Sequence, residues 1–162
     1  TGEGFADSLS ASAVGKPILL VDNRGLTNAQ KTYLDKANVQ DIYLIGGADV
    51  VSDKVGKELK SYDKDSKTER IAGDNRYKTS VAVAKAFFPD KCDTAVLAYG
   101  MKFPDGLAGG PLAISMGSPL LLVEDTAYAD AKAYGSSVGI SRLAVLGGAD
   151  VISDATAKRI LQ

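Results

Sequence analysis

The densest polar cluster of the chain runs from Arg70 to Ser80, where Arg70, Arg76, Tyr77 and Thr79 crowd around a turn at Gly73, Asp74 and Asn75. Guanidinium forks match the oxygens of a phosphate, and a tyrosine adds a flat face tipped by a hydroxyl, so such a turn can clamp a phosphate or a sugar. The same residues can instead be glue between neighbouring units. The arginines would then pair with nearby carboxylates, and Thr79 or Ser80 would settle into a first helical turn. A second candidate is the pair of glycine turns Gly46-Gly47 and Gly147-Gly148, each lying between an apolar run and a helix with Ser52 or Ser153 at its cap position. At the carboxyl ends of strands, helix N-termini offer free N–H groups to anions. Neither turn is followed by a Walker-type Gly-Lys-Ser/Thr or a GxGxxG pattern, and a tight turn with unusual backbone angles explains the glycines as well.

Asp7 and Asp105 fall just after Phe5 and Phe103, at helix starts where a carboxylate suits the positive end of the dipole. Acid–base catalysis would need a second carboxylate or a base at fixed spacing, and the sequence offers none. The chain has no histidine and one cysteine, Cys92, which excludes an internal disulfide, the usual zinc clusters and His-based triads. Cys92 precedes an apolar run and reads as a small half-buried filler. With 19 basic and 20 acidic residues the net charge is -1, which gives no reason to expect nucleic-acid coating or polybasic membrane binding, so any anionic partner must be met locally. No apolar stretch approaches the ~20 residues of a membrane span. No cofactor is expected.

The elements that must position these residues are written twice. Residues 42–53 return as 143–154, including Gly46-Gly47-Ala48-Asp49 as Gly147-Gly148-Ala149-Asp150, an offset of 101. Upstream, Pro17 to Val21 returns as Pro119 to Val123, and Phe5, Asp7 and Leu9 return as Phe103, Asp105 and Leu107. Three matches in the same order make a tandem module. Apolar runs at Ile18–Val21, Ile42–Ile45, Ala95–Tyr99, Leu120–Val123 and Leu143–Leu146 are continuous, not alternating, as buried strands of a parallel sheet should be. Between them lie segments long enough for crossover helices. One starts at Thr27, with Gln30 placed for a capping box, and another runs over Tyr77–Phe88 and stops at Pro89. The order predicts α/β modules of doubly wound parallel sheet, three-layered and flavodoxin- or Rossmann-like.

On this reading residues 70–162 form a complete module, and residues 1–69 a partial one whose first helix and strand are missing. That leaves an open sheet edge for another segment or another copy of the chain to cover. The first module also has 12 steps from Phe5 to Pro17 where the second has 16 from Phe103 to Pro119, about one helical turn less. Pro111 with Gly106, Gly109 and Gly110 predicts a bent helix packed very close to a neighbour.

Taken together, the Arg70 to Ser80 pattern, Phe103-Pro104-Asp105-Gly106-Leu107, Pro119 to Leu122 and Leu146-Gly147-Gly148 resemble, in this order, the cell-wall-binding repeat of type 2 of clostridial and related Gram-positive surface and S-layer proteins. The resemblance spans essentially the whole chain. It implies modules that work in threes around a pseudo-threefold axis and hold an extracellular surface protein non-covalently to an anionic secondary polysaccharide of the wall, without catalysis. It also carries over an Ile-Leu-Leu motif associated with polymer binding, which maps onto Ile18, Leu19, Leu20 and onto Leu120, Leu121, Leu122. As strand residues, these positions would act on stability at least as much as on contact. A flavodoxin-like enzyme acting on a nucleotide or sugar phosphate through the glycine turns, or a purely structural assembly unit, are the alternatives. The absence of histidine and the duplication weigh against the enzyme.

Overall fold

A computed structural model describes residues 1–2, 4–64 and 67–162. In chain order the elements are α1 (Ala6–Ser12), α2 (Asn28–Ala37), β1 (Tyr43–Ile45), α3 (Asp53–Lys60), β2 (Glu69–Ile71), α4 (Arg76–Phe87), β3 (Thr94–Tyr99), α5 (Phe103–Met116), β4 (Leu120–Val123), α6 (Ala129–Val138), β5 (Arg142–Leu146) and α7 (Asp154–Ile160). Every strand pair is parallel. The strands form two sheets, one of order β4-β3-β5 and one of β1-β2.

The three-stranded sheet is buried because it is sandwiched. Side chains alternate across a strand, so Leu97 and Leu121 point into one apolar layer with Val81, Tyr134, Ile152 and Ile160. Val96, Ala98, Leu120 and Leu122 point into the opposite layer with Ala13 and Ala113. Helices α4, α6 and α7 supply the first layer, and α1 and α5 the second. Each fully buried leucine or valine here stabilises the fold by roughly 1.5–3 kcal/mol. Tyr134 brings a polar tip into its layer and satisfies it by donating from its hydroxyl to the Phe88 carbonyl at 2.8 Å. The first unit has its own core of Val21, Leu26, Leu34, Leu44, Val51, Val55 and Leu59.

Local signals in the sequence act as their chemistry requires. Thr27 and Gln30 close a reciprocal capping box on α2. Asn75 caps α4, whose last turn ends at Phe88, one residue before Pro89. Pro111 lies inside α5, and the glycines around it admit close neighbours. A β-carbon on Gly106 would collide with Leu9, one on Gly110 with Ser12, and one on Gly109 would stand 2.9 Å from Leu120. The two repeat-related helices α1 and α5 therefore pack directly on each other, sealed at one end by an edge-to-face contact of Phe5 and Phe103 with centroids 6.0 Å apart.

Three expectations need correction. Residues 18–21 form no strand, although their counterpart Leu120–Val123 is β4. β4 is a strand because it hydrogen-bonds along β3. No described strand lies beside residues 18–21, whose Val21 carbonyl accepts only a single bond of this kind, from Gly2 N–H at 2.9 Å. The chain bends back at Asp22 and Gly25 instead. Conversely, the apolar runs predict no strand just before the turn at Gly73, and residues 69–71 form β2, which pairs with β1 of the first unit. Three residues with Glu and Arg in them carry too weak a β pattern to be read without the partner. The first unit's short helix, α1, has 7 residues against 14 in α5, a larger difference than the single turn expected.

Candidate functional site

Strand β2 carries Arg70 onto the end of the first unit. Its guanidinium donates to the Gly46 carbonyl at 2.8 Å and to the Asp53 carboxylate at 3.0 Å. Gly46 N–H in turn donates to the Ile71 carbonyl at 2.9 Å. Arg70 thus fastens the glycine turn and the first turn of α3 to β2, while its side chain stays one quarter exposed.

Arg76 and Tyr77 open α4 and face the second unit. Arg76 donates to the Gly100 carbonyl at 2.7 Å, beyond the end of β3, and its guanidinium lies 5.7 Å from the centroid of Phe5. It therefore ties α4 to the loop after β3 and to the start of α1. The Tyr77 ring covers Gly100, where any β-carbon would collide with it. Its hydroxyl is buried and makes no hydrogen bond of normal geometry; burial, and then the Glu124 carboxylate, push the phenol up to about 12. Thr79, the other polar residue of this turn, is buried and its hydroxyl accepts from Gly73 N–H at 3.1 Å. The cluster that looked free for a ligand is largely consumed in joining the elements around it.

The two glycine turns are built alike. Gly46 has φ +113° and Gly147 φ +106°, and in each turn the second glycine's carbonyl accepts from residues three and four positions on. A β-carbon on Gly46 would lie 2.6 Å from Asp7 Oδ2, and one on Gly147 2.9 Å from Asp105 Oδ2. The conserved spacing of the repeat thus sets each aspartate of the α1/α5 pair against a glycine turn. Asp7 is held above the usual carboxylate range by burial, which Arg76 offsets in part. The helices after the turns are closed from inside the protein. Ser52 and Ser153 cap α3 and α7. Asn23 Oδ1 accepts from Ser52 N–H at 2.7 Å, and its counterpart Asp125 accepts from Ser153 N–H at 3.0 Å. These caps hold Asp125 below the ordinary carboxylate range through its hydrogen bonds to Ser153 and Thr156.

In a doubly wound sheet the ligand crevice lies at the carboxyl ends of the strands where the order reverses, here above β3 and β5. Asp105 against Gly147 stands at that place, and Asp7 against Gly46 stands just beyond the end of β1 in the first unit. Among the described residues no group of three or more His, Cys, Asp or Glu side chains is placed to hold a metal ion.

The two copies of the Ile-Leu-Leu motif are placed differently. Leu120, Leu121 and Leu122 are at most 1% exposed, inside the sheet, whereas Ile18, Leu19 and Leu20 are 46%, 36% and 50% exposed. The expectation of strand burial fails for the first copy because residues 18–21 have no strand to pair with. Sequence reading passed over Lys57 and Lys60 on α3, which share a groove with Arg70. Their spacing along a helix is legible, but the approach of β2 that turns that helix face into a groove is not.

The sequence profile described as Cell wall binding domain 2 (CWB2) matches residues 1–56 and 70–157. The chain belongs to this family. Its relatives include the N-acetylmuramoyl-L-alanine amidase LytC of Bacillus subtilis (strain 168), 32% identical over 158 residues, covering 94% of this chain and 31% of the relative. The Amidase enhancer of the same organism is 36% identical over 124 residues, covering 74% of this chain and 17% of the relative. The chain thus spans a third or less of the curated relatives it matches. Among solved structures, Cwp8 from Clostridium difficile superposes with a TM-score of 0.86 at 25% identity, over 98% of this chain and 28% of that one. Cwp6 from Clostridium difficile gives 0.78 at 22% identity, over 98% and 26%, a likeness of fold. Membership of a wall-binding family makes this a binding module and not a catalytic one, with a component of the cell wall as partner and the wall or cell surface as its place. No helix among the described residues is long and apolar enough to cross a membrane.

Proposed function

We propose that the chain is a non-catalytic anchor that holds an extracellular protein non-covalently to an anionic secondary glycopolymer of a Gram-positive wall, and that its units belong to an array of such modules. The observation that carries this reading is the match of the wall-binding family to both segments of the repeat. The geometry is in keeping with it. An enzyme of the flavodoxin type would work in the crevice above the strand ends, and there each unit carries an aspartate pressed on its glycine turn. With a net charge of -1, attraction to an anionic polymer must come from a few placed cations, and Arg70, one quarter exposed, is already fixed in place by Gly46 and Asp53.

The test is retention on purified walls. Anchoring through a secondary polymer predicts that the protein sediments with intact walls, and that it stays in solution after the polymer is chemically stripped from the peptidoglycan. Equal retention before and after stripping would move the ligand to the peptidoglycan, and no retention on either would leave a structural assembly unit.

A further inference from the structure

We infer that the groove between α3 and β2 is a subsite for an oxyanion, a phosphate or carboxylate carried on a polysaccharide, and that it forms only where β2 joins the first unit's sheet. This rests on the wall-polymer reading and adds the place where the polymer's charge is met. The groove has a volume of about 240 Å³. Its walls carry Lys57 and Lys60 from α3 and Arg70 from β2, and its floor is Gly56 and Leu44. Asp53 is the one carboxylate in its lining.

Three features distinguish it from a solvated helix face. Arg70 is held before any ligand arrives, by Gly46 and Asp53, so little side-chain freedom is lost on binding. Gly56 keeps the floor low. A β-carbon there would sit 2.9 Å from Leu44 Cδ1 and 3.8 Å from Arg70 Nη2, against the guanidinium itself. Lys57 and Lys60 are like charges one turn apart, an arrangement that destabilises a helix, and neither makes an ion pair with a described residue. Their position near the end of α3 suits the helix dipole. The dipole does not account for their convergence with Arg70 over a glycine floor.

The fold does not demand this charge. At the repeat offset, Gly56, Lys57 and Lys60 fall on Ala157, Lys158 and Leu161, so the corresponding face of α7 lacks both the glycine and one of the cations. Thr68, which also lines the groove, turns its hydroxyl to the buried Asp63 at 2.8 Å and leaves the ligand to the cations.

The test is a titration of inorganic phosphate into the ¹⁵N-labelled protein at constant ionic strength. Saturable shifts confined to the amides of Gly56, Lys57, Lys60 and Arg70 are expected. The double variant Lys57→Gln/Lys60→Gln, at two exposed positions, should keep the fold and bind about fivefold more weakly, the effect of losing two partly screened charge contacts. Small unsaturated shifts spread over exposed lysines, or a double variant that binds phosphate as the wild type does, would overturn the proposal. Wall retention separates this from the anchoring reading. If the wild type is retained and the double variant is retained equally at every salt concentration, the subsite is wrong and anchoring stands. If the wild type is not retained, anchoring is wrong and the phosphate titration alone judges the groove.

Discussion

The carboxylate of Asp7 lies so close to Gly46 that a β-carbon on the glycine would stand 2.6 Å from Oδ2, and 98 residues on Asp105 meets Gly147 in the same way. Both glycines have φ values above +100°, where side chains are strained whatever the space. Gly46→Ala should therefore lower stability by about 2–4 kcal/mol, through backbone strain and the collision with Asp7 and Val50. Gly147→Ala should cost less, because its neighbours stand further off and the turn is exposed. Thermal unfolding of the two variants checks the order. Equal transitions would show that Asp7 does not press on the turn.

Asp7 also sets a pH dependence. Burial raises its folded pKa above the ordinary carboxylate value of 3.8, so the folded state holds the proton more tightly than the unfolded one. The stability this contributes is fully present below 3.8 and is lost as pH rises through the folded value. The wild type should gain on Asp7→Asn as pH falls from neutral towards 4, and the gap between their melting temperatures across that range is the measurement. The carboxylates Asp22, Glu58, Asp74 and Asp125 are lowered and act in the opposite sense, but they are common to both proteins and cancel in the difference.

Leu9 and Leu107 occupy the same place in the repeat, yet Leu9 is 5% exposed against Gly106 and Leu107 is 58% exposed. Leu9→Ala should cost about 2–3 kcal/mol and Leu107→Ala under about 0.5 kcal/mol. Denaturant midpoints at constant slope measure both.

The two copies of the Ile-Leu-Leu motif should separate in the same experiment. Leu121→Ala removes a fully buried strand residue and is expected to cost about 2–5 kcal/mol, enough to unfold a marginal domain. Leu20→Ala, at a half-exposed position, should leave stability within about 1 kcal/mol and permits a direct reading of wall retention. Loss of retention in Leu121→Ala alone would be an effect of unfolding.

Arg76→Ala should lower stability by about 1–2 kcal/mol, since it removes a charged donor from Gly100 and the guanidinium beside Phe5. If thermal unfolding is unchanged while wall retention falls, Arg76 belongs to the polymer site and its contacts within the protein are incidental.

What could be read from the sequence follows from the range of each interaction. The capping box at Thr27, the stop at Pro89, the serine caps and the continuous apolar runs of β3 and β4 are set by neighbours within a few residues, and they were legible. Residues 18–21 carry as good a strand pattern as β4 but form no strand, and Ile18, Leu19 and Leu20 stay exposed, because a strand is made by its partner. β2 shows the converse, three residues with a poor pattern held by β1. The aspartate–glycine contacts were hidden for the same reason. The repeat gave Asp7 and Gly46 separately, and only the packing of helix start on strand end brings them together.

β2 opens the polypeptide of the second unit while its hydrogen bonds lie in the sheet of the first. The boundary drawn from the repeat, between residues 69 and 70, therefore falls inside a strand that backbone pairing joins to the first unit. Units joined in this way are not beads on a string. A protease that cut the chain between β1 and β2 would leave both halves held together by the ladder. A cut just after Ile71 would leave Arg70 with the first unit, and the packing of α1 on α5 would still hold the second unit to it. Relative movement of the two units is limited by that shared strand and by α1 lying on α5, so the four residues that separate β2 from α4 link parts already held together on both sides.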